Sequence, residues 1–328
     1  MQRKVPVDTH IDNTGFGSNS NMEGARLTNK DGSINMIKTG LPFITRLSIY
    51  HSLLRMPRFR FWAMILLFYT TVNLFFAAIY YAIGVDQLAG GTLGESVFAR
   101  FMKAFFFSSQ TLTTVGYGHV SPEGMVANLV ASCEAFIGIL AFAVVTGLVY
   151  GRFTRPRAFI LFSNNMLVSP YKGGRAIMFR LATYKNNHLT DAEATVTAAI
   201  HTREEGKETT KFYSLKLEIT RLNSLALSWT IVHPLNEESP LYSYSHEQLM
   251  AGKLELMVTV KAFDDHFSNT VQQRTSYTAA ELVYGAKFRP MFERAAAGAA
   301  TVLQLDKIND YERVALNEGT LESLGVKP

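Results

Sequence analysis

The sequence predicts a chain of two parts: an α-helical membrane module with two spanning helices, then a soluble β-sandwich domain. Two apolar segments long enough to cross a bilayer lie in the first half of the 328 residues, and a strand-like alternation of apolar and polar residues fills much of the second half. A hydrophobic fraction of 48% and a mean hydropathy of +0.07 agree with a minority of the chain in lipid.

The two spanning segments are residues 61–83 and 125–150. The first carries no charged residue, and as a helix it would reach roughly 34 Å against a hydrocarbon core of about 30 Å. The second carries one charge, Glu134. A pair of buried helices in a soluble core is the alternative, but uncharged runs beyond about 18 residues are rare in soluble proteins.

Basic residues without neighbouring acids flank both segments. They are Arg46, Arg55, Arg58 and Arg60 before the first, and Arg152, Arg155 and Arg157 after the second. The positive-inside rule therefore predicts that both termini are cytoplasmic and that the 84–124 connection faces outward.

The outward connection contains an apolar stretch, residues 96–112, that is too apolar for an exposed loop and too short to cross the membrane and return as two helices. A re-entrant helix that dips into the membrane and comes back as extended chain is the economical solution. Such non-helical backbone is tolerated at membrane depth only where it is buried in protein or lines water.

The motif Thr114-Val115-Gly116-Tyr117-Gly118 follows this stretch directly. It matches the filter loop of potassium channels, in which backbone carbonyl oxygens replace the hydration shell of the ion. Gly116 and Gly118 permit backbone angles that a Cβ would disfavour. The Thr114 hydroxyl would add an innermost ring of oxygens, and Val115 and Tyr117 would face away and pack against the pore helix.

Potassium ions are therefore expected at Thr114, Val115, Gly116 and Tyr117, with no organic cofactor. One chain supplies one such loop and a closed ring needs four, so the sequence predicts a homotetramer.

Beyond Arg157 the pattern has the period of strands. Leu215, Leu217 and Ile219 alternate with Lys216 and Glu218, and residues 254–260 alternate likewise. Several short strands of this kind predict a mostly antiparallel β-sandwich. Residues 1–43 are polar, contain no apolar signal-peptide region, and are predicted to form a mobile or loosely docked arm.

Composition argues against several other classes of function. The net charge of +5 is too modest to predict a nucleic-acid partner, and the single cysteine, Cys133, permits no intrachain disulfide or multi-cysteine metal site. The histidines are scattered without the spacing of metal ligands, and no nucleophile elbow is present, so an enzyme is disfavoured.

Longer stretches resemble the inward-rectifier potassium channels over almost all of residues 44–305. The pore helix and filter, residues 104–118, are similar to those of the family, and residues 50–54 resemble its amphipathic interfacial slide helix. Family landmarks in the soluble part occur in family order at 160–163, 178–180, 227–234, 239–242, 275–277, 281–282 and 285.

The resemblance implies an organisation with the following boundaries. They are an N-terminal arm (1–43), a slide helix (44–60), a pore module (61–152), a cytoplasmic immunoglobulin-like β-sandwich that regulates the pore (153–305) and a tail (306–328). Within the pore module they are an outer helix (61–83), a pore helix (96–112), a filter (114–118) and an inner helix (125–152).

The resemblance also implies roles along the inner helix. Tyr150 lies where the inner helices of the family converge on a bulky gate residue, and Gly147 can absorb a bend. Phe142 and Thr146 would line the cavity. Strong rectifiers carry an acid at the position of Phe142, so rectification is expected to be weak. Glu134 is expected behind the filter as a buried hydrogen-bonding group.

Two further sites follow from the resemblance. Arg152 and Arg155 match lipid-contacting positions of the family, and the other flanking arginines are expected to join them in binding anionic phospholipid. Asp191 and Asp265 match acidic positions of the cytoplasmic vestibule, where Mg²⁺ or a polyamine would block weakly.

The departures from animal members indicate a prokaryotic member in a bacterial inner membrane. Gln110 and His119 stand where animal members have a paired Glu and Arg, and the paired extracellular cysteines are missing. Arg157 is followed by Ala158, which argues against the animal-type response to phosphoinositide.

Two other functions remain open from the residues alone. A two-span channel with a Rossmann-type regulatory domain would need alternating strands and helices and a G-x-G-x-x-G motif, which residues 158–295 do not show. A membrane-anchored β-sandwich binding module would need neither a filter nor a second span.

Overall fold

The computed structural model describes residues 15–16, 26–40, 42, 48–91, 94, 96–204, 207–294 and 301–316. The chain divides into two compact units. One is Thr39–Arg155, here called the membrane unit, and the other combines Met1–Lys38 with Pro156–Pro328 and is called the β-unit.

Among its described residues, the membrane unit consists of helices, one small pair of strands and the loops that connect them. Its elements are α1 (Ile49–Arg55), α2 (Arg58–Ile83), a short 3-10 helix (Val85–Gln87), β1 (Leu88–Ala89), α3 (Val97–Leu112), β2 (Ser121–Pro122) and α4 (Met125–Phe153). Helices α2 and α4 are long and apolar enough to span a membrane, with mean hydropathies of 1.8 and 2.2 over their most apolar windows.

A break at Pro57 separates α1 from α2. The predicted slide helix, 44–60, is shorter in the structure, and the outer helix begins at Arg58, three residues before its predicted start. A proline ring removes an amide hydrogen and pushes the preceding residue out of the helical region, and Met56 accordingly has an extended ψ of 141°. At the start of α3, Ser96 lies outside the helix and caps it, accepting a hydrogen bond from the Ala99 amide at 3.1 Å.

Strands β1 and β2 join the two ends of the outer connection. Leu88 pairs with Pro122 and Ala89 with Ser121 in an antiparallel ladder. A Cβ at Gly90 would lie 2.1 Å from the carbonyl oxygen of His119, so only glycine allows this approach. The pairing fixes the chain on both sides of the 114–118 loop.

The β-unit contains fourteen strands among its described residues. They are β3 (Ile160–Phe162), β4 (Met166–Tyr171), β5 (Gly174–Thr183), β6 (Leu189–Glu204), β7 (Lys207–Ser214), β8 (Arg221–Ser224), β9 (Ser228–Pro234), β10 (Glu255–Asp264), β11 (Asn269–Thr278), β12 (Leu282–Tyr284), β13 (Ala286–Phe288), β14 (Phe292–Arg294), β15 (Thr301–Leu303) and β16 (Tyr311–Arg313). One α-helix, α5 (His246–Ala251), and 3-10 helices at Ala279–Glu281 and Leu305–Asn309 complete it.

Two five-stranded sheets enclose the core of the β-unit. One has the order β11-β10-β6-β7 with β8 beside β6, and the other has the order β12-β4-β5-β3 with β9 beside β5. Only β12 and β4 pair in parallel among the described strands. Alternate residues point inward, as Trp229 and Ile231 of β9 do, at 4% and 0% exposure. The predicted β-sandwich is confirmed.

The ends of the β-unit differ from the expected arm and tail. The backbone amides of Leu27 and Thr28 donate to the Glu255 carboxylate at 2.6 and 2.9 Å, and Arg26 pairs with Glu281. The stretch 26–37 is therefore docked, although its composition is that of a loose arm. The fold also continues past residue 305, because Ile308 is buried at 2% exposure and β16 pairs with β13.

Candidate functional site

The 114–118 loop follows the last turn of α3 and is held by it. The Thr114 amide donates to the Thr111 carbonyl at 3.0 Å, and the amides of Val115 and Gly116 share the Gln110 carbonyl at 3.0 and 3.3 Å. Thr114, Gly116 and Gly118 have positive φ of 59°, 52° and 79°, and the residues between them do not. This alternation of backbone handedness allows successive carbonyl groups to point to one side of the chain.

The same loop is uncovered in a single chain. Val115 and Tyr117 are 52% and 73% exposed, so they do not pack against their own pore helix. A Cβ at Gly116 or Gly118 would find no atom within 4 Å. The described residues of this chain therefore leave the loop largely uncovered.

A buried polar network joins all three long helices of the membrane unit. Glu134 of α4 is fully buried and accepts hydrogen bonds from the Tyr80 hydroxyl of α2 at 2.7 Å and the Ser108 hydroxyl of α3 at 2.5 Å. Asn73 of α2 places its side-chain oxygen 3.2 Å from the Ser108 hydroxyl. It also donates to the Tyr69 carbonyl at 2.7 Å. Glu134 is thus a buried hydrogen-bonding group, and nothing in the sequence identified its partners.

Gly138 lets α4 touch the end of the pore helix. A Cβ at this position would lie 2.2 Å from the Leu112 carbonyl oxygen, two residues before the loop begins. The requirement for glycine comes from another helix, so the sequence of α4 alone does not reveal it.

The predicted cavity and gate residues share one side of α4. Phe142, Thr146 and Tyr150 follow each other at intervals of four residues, which places them on one helix face. Phe142 and Tyr150 are 76% and 70% exposed. Phe142 also lines a cleft of about 400 Å³ together with Thr113 and Thr114, so the structure brings it close to the loop. A Cβ at Gly147 would meet no atom within 4 Å.

Several of the flanking arginine side chains are exposed, whereas Arg152 is hydrogen-bonded within the membrane unit. Arg55, Arg58 and Arg60 are exposed around the break between α1 and α2, and no ion pair involves them or Arg155 among the described residues. Arg152 donates to the carbonyl oxygens of Leu53 and Met56 at 2.6 and 2.7 Å. Arg46 lies outside the described residues, and Arg157 belongs to the β-unit.

Both predicted vestibule acids have partners. Asp191 accepts from Arg221 at 2.8 Å. Asp265 lies 2.6 Å from the His188 Nδ1 and accepts from the Thr190 hydroxyl at 3.3 Å. The arginine offsets the charge of Asp191. Among the described residues there is no group of three or more His, Cys, Asp or Glu side chains that could hold a metal ion.

Comparisons with known proteins agree with this geometry. The family model described as "Inward rectifier potassium channel C-terminal domain" matches residues 160–326, and one described as "Ion channel" matches residues 61–155. Inward rectifier potassium channel Kirbac3.1 of Paramagnetospirillum magnetotacticum is 35% identical over 269 residues, which cover 81% of this chain and 89% of the relative.

Animal relatives are more distant. Inward rectifier potassium channel irk-1 of Caenorhabditis elegans is 25% identical, covering 84% of this chain and 54% of the relative. Human G protein-activated inward rectifier potassium channel 2 is 27% identical, covering 68% and 57%. The chain thus spans just over half the length of these two. The sporulation control protein Spo0M of Bacillus subtilis aligns to 41% of this chain and 58% of its own with a TM-score of 0.21 and 9% identity, too weak to support an argument.

Proposed function

The chain belongs to the inward-rectifier potassium channel family, a family of membrane ion channels and not of enzymes, and on that premise we propose that four copies of it form a passive, potassium-selective pore. The 114–118 loop carries the proposal. Its backbone alternates in handedness, it follows a short helix between two spanning helices, and its own chain leaves it uncovered.

Selectivity in this pore comes from oxygen atoms of the backbone. The carbonyl groups of Thr114, Val115, Gly116 and Tyr117, with the Thr114 hydroxyl, would hold K⁺ ions in place of their hydration shells. No organic cofactor takes part. The C-terminal end of α3 points its negative dipole end toward the loop, which favours a cation.

The gate of the pore is the end of α4. Four Tyr150 side chains would close the path by contact or by excluding water. The inner helix would bend at Gly147, one turn earlier, to open the path under control of the β-unit. The chain would lie in a bacterial inner membrane with both termini in the cytoplasm, because the flanking arginines are on the same side of both spans.

Anionic phospholipid would bind at the cytoplasmic membrane face. Arg55, Arg58, Arg60 and Arg155 are the described side chains of the membrane unit proposed to contact it, joined by Arg46 and Arg157. Each basic residue near such a surface contributes about 1 kcal/mol. The exposure of the first three supports the proposal.

Rectification by internal Mg²⁺ or a polyamine would be weak. Phe142 brings no charge to the cavity, and Asp191 and Asp265 are each engaged by a neighbouring side chain. A blocking cation would therefore find little concentrated negative charge along its path.

Ion flux through the purified protein in liposomes tests the proposal. The wild type should carry K⁺ and exclude Na⁺. Gly116→Ala should abolish K⁺ flux, because a side chain at a φ of 52° disturbs the carbonyl ring. Gly173→Ala is the matched control, since Gly173 also has a positive φ, of 77°, and open space around it, but lies in a turn of the β-unit. Normal K⁺ flux through Gly116→Ala would overturn the filter assignment.

A further inference from the structure

The guanidinium of Arg152 closes the C-terminal end of α1. Its two terminal nitrogens donate to the carbonyls of Leu53 and Met56, at 2.6 and 2.7 Å. Helix α1 ends at Arg55, so the Leu53 carbonyl belongs to its last turn and the Met56 carbonyl to the C-cap residue that follows. Carbonyl oxygens at the end of a helix have no partner within it. A cation is also favoured there by the negative end of the helix dipole.

Two neighbouring contacts fix the geometry of this junction. The Arg152 guanidinium lies over the Phe61 ring, with 4.3 Å between its central carbon and the ring centroid, which connects it to α2 as well. A Cβ at Gly151 would lie 3.3 Å from the Tyr50 hydroxyl and 3.4 Å from a Leu54 methyl group. The backbone of α4 therefore runs close against α1 just after Tyr150, the proposed gate.

We infer that Arg152 is a positioning residue that couples α1 to the gate end of α4, and that it is not a ligand for lipid. A phosphate that bound this guanidinium would compete with two short hydrogen bonds and a stacked ring. The exposed Arg55, Arg58 and Arg60 bind lipid and displace α1 or the start of α2, and the Arg152 hydrogen bonds transmit the displacement to α4. This coupling rests on the gate and the lipid site proposed above.

Substitution by lysine separates the two roles. Lysine keeps the charge that a lipid ligand needs, but a single ammonium group cannot reproduce the planar fork that contacts two carbonyls and a ring. Arg152→Lys should therefore behave like Arg152→Ala. In both variants the change in K⁺ flux on adding anionic lipid, whether a rise or a fall, should be about tenfold smaller than in the wild type. Arg289→Lys is the control, because Arg289 is an exposed arginine of the β-unit outside the proposed lipid and gate sites, and it should keep the wild-type response.

The response is measured as K⁺ flux in phosphatidylcholine vesicles with increasing fractions of phosphatidylglycerol, and lipid binding by native mass spectrometry of the same tetramers. The coupling predicts that Arg152→Lys binds phosphatidylglycerol like the wild type while losing the response. A wild-type response in Arg152→Lys, or a loss of binding that accounts for the lost response, would overturn it.

A distance measurement decides the coupling independently of lipid regulation. Spin labels at Ser52 of α1 and Phe153 of α4, in a Cys133→Ala background, should give a narrow distance distribution that broadens in Arg152→Lys. An unchanged distribution would overturn the coupling even if lipid regulates the channel. If phosphatidylglycerol does not change K⁺ flux through the wild type, the proposed lipid site is contradicted. The distance distribution would still test the coupling.

Discussion

The two units of the chain differ in how much apolar surface they leave exposed. In the β-unit, apolar residues such as Leu256, Val260 and Ile231 are fully buried between the sheets. In the membrane unit, apolar residues such as Phe142 and Phe136 are 76% and 63% exposed. In the most apolar 18-residue stretches of α2 and α4, only 17% and 11% of the residues are buried.

The membrane unit also buries a network of polar groups. Asn73, Ser108 and Glu134 are all fully buried and bonded to one another or to Tyr80. Within lipid a polar side chain must find its partners inside the protein, whereas apolar side chains are solvated by the acyl chains. The comparison teaches that the β-unit completes an apolar core within one chain, whereas the membrane unit leaves most of its apolar surface exposed, as helices surrounded by lipid do.

The largest expected effect on the membrane unit comes from a substitution that pushes α4 away from the pore helix, α3. Gly138→Ala should cost about 3 kcal/mol and prevent tetramer formation, because the new Cβ meets the backbone oxygen of Leu112 and not a flexible side chain. Gly147→Ala, on the same helix but in open space, should assemble normally. Gel filtration in detergent compares them, and tetramers of Gly138→Ala with normal flux would show that the helices do not meet in this way.

The exposed apolar surface of α4 should contain two environments, water and lipid. Phe142→Asp should assemble and create tight, voltage-dependent spermine block, because four carboxylates in a confined cavity attract a polycation strongly. Phe136→Asp should fail to assemble, because a carboxylate in the hydrocarbon core costs roughly 2.5–3.5 kcal/mol per chain.

A spermine titration of K⁺ current at positive internal voltage measures the block. Phe142→Asn is the uncharged control and should resemble the weakly blocked wild type. Tight block of the wild type, or none in Phe142→Asp, would show that the cavity face of α4 has been misplaced.

The gate assignment depends on a smaller part of the same surface. Tyr150→Ala should raise basal K⁺ flux several-fold in liposomes, because it removes four rings from the narrowest part of the path. Phe153→Ala serves as the comparison, since Phe153 is a similar aromatic at the end of α4 and is 76% exposed. Equal flux in both variants and the wild type would favour Tyr150 as an interfacial anchor.

The smallest expected effect concerns a polar group buried in the β-unit. His233 is 3% exposed, with its Nδ1 2.7 Å from the Lys216 carbonyl and its Nε2 2.8 Å from the Ser239 hydroxyl. Burial lowers the pKa of His233 below its ordinary value of 6.5, against a smaller opposing contribution from the Lys216 hydrogen bond. The unfolded chain therefore binds a proton more readily than the folded one.

The contribution of His233 to stability is fully present above pH 6.5 and is lost as the pH falls through the lowered pKa. His233→Gln should weaken this acid sensitivity. Trp229 fluorescence during denaturation reports it, in a Trp62→Phe background that removes the other tryptophan. The same acid dependence in His233→Gln and the parent would contradict the prediction.

Sequence predicted best what local pattern determines. The length of the two apolar segments predicted the spanning helices, and the alternation of apolar and polar residues predicted the β-sandwich. The motif predicts a filter loop, and the positive φ angles at Gly116 and Gly118 agree with the freedom from a Cβ that it requires. The break at Pro57 follows from an elementary rule that the predicted 44–60 helix overlooked.

Contacts between distant segments could not be predicted. Glu134 gave a signal, as a lone charge in a span, but nothing in the sequence pairs it with Ser108 or Tyr80. The partners of Arg152 are backbone carbonyls, which every residue has. Residues 1–43 were predicted to form a mobile or loosely docked arm, but the contacts of residues 26–28 with Glu255 and Glu281 could not be predicted, because the composition of this stretch is polar and Leu27 alone of it joins an apolar cluster.

The docked N-terminal stretch has a consequence for biosynthesis. Arg26 and Glu281 are 255 residues apart, and Leu27 and Glu255 are 228 apart, with both spanning helices between them. On the ribosome, residues 26–37 leave the exit tunnel long before their partner strands are made. Both spanning helices are therefore synthesised before this stretch can dock, and a chain that stops before Glu255 leaves it without the Glu255 and Glu281 carboxylates.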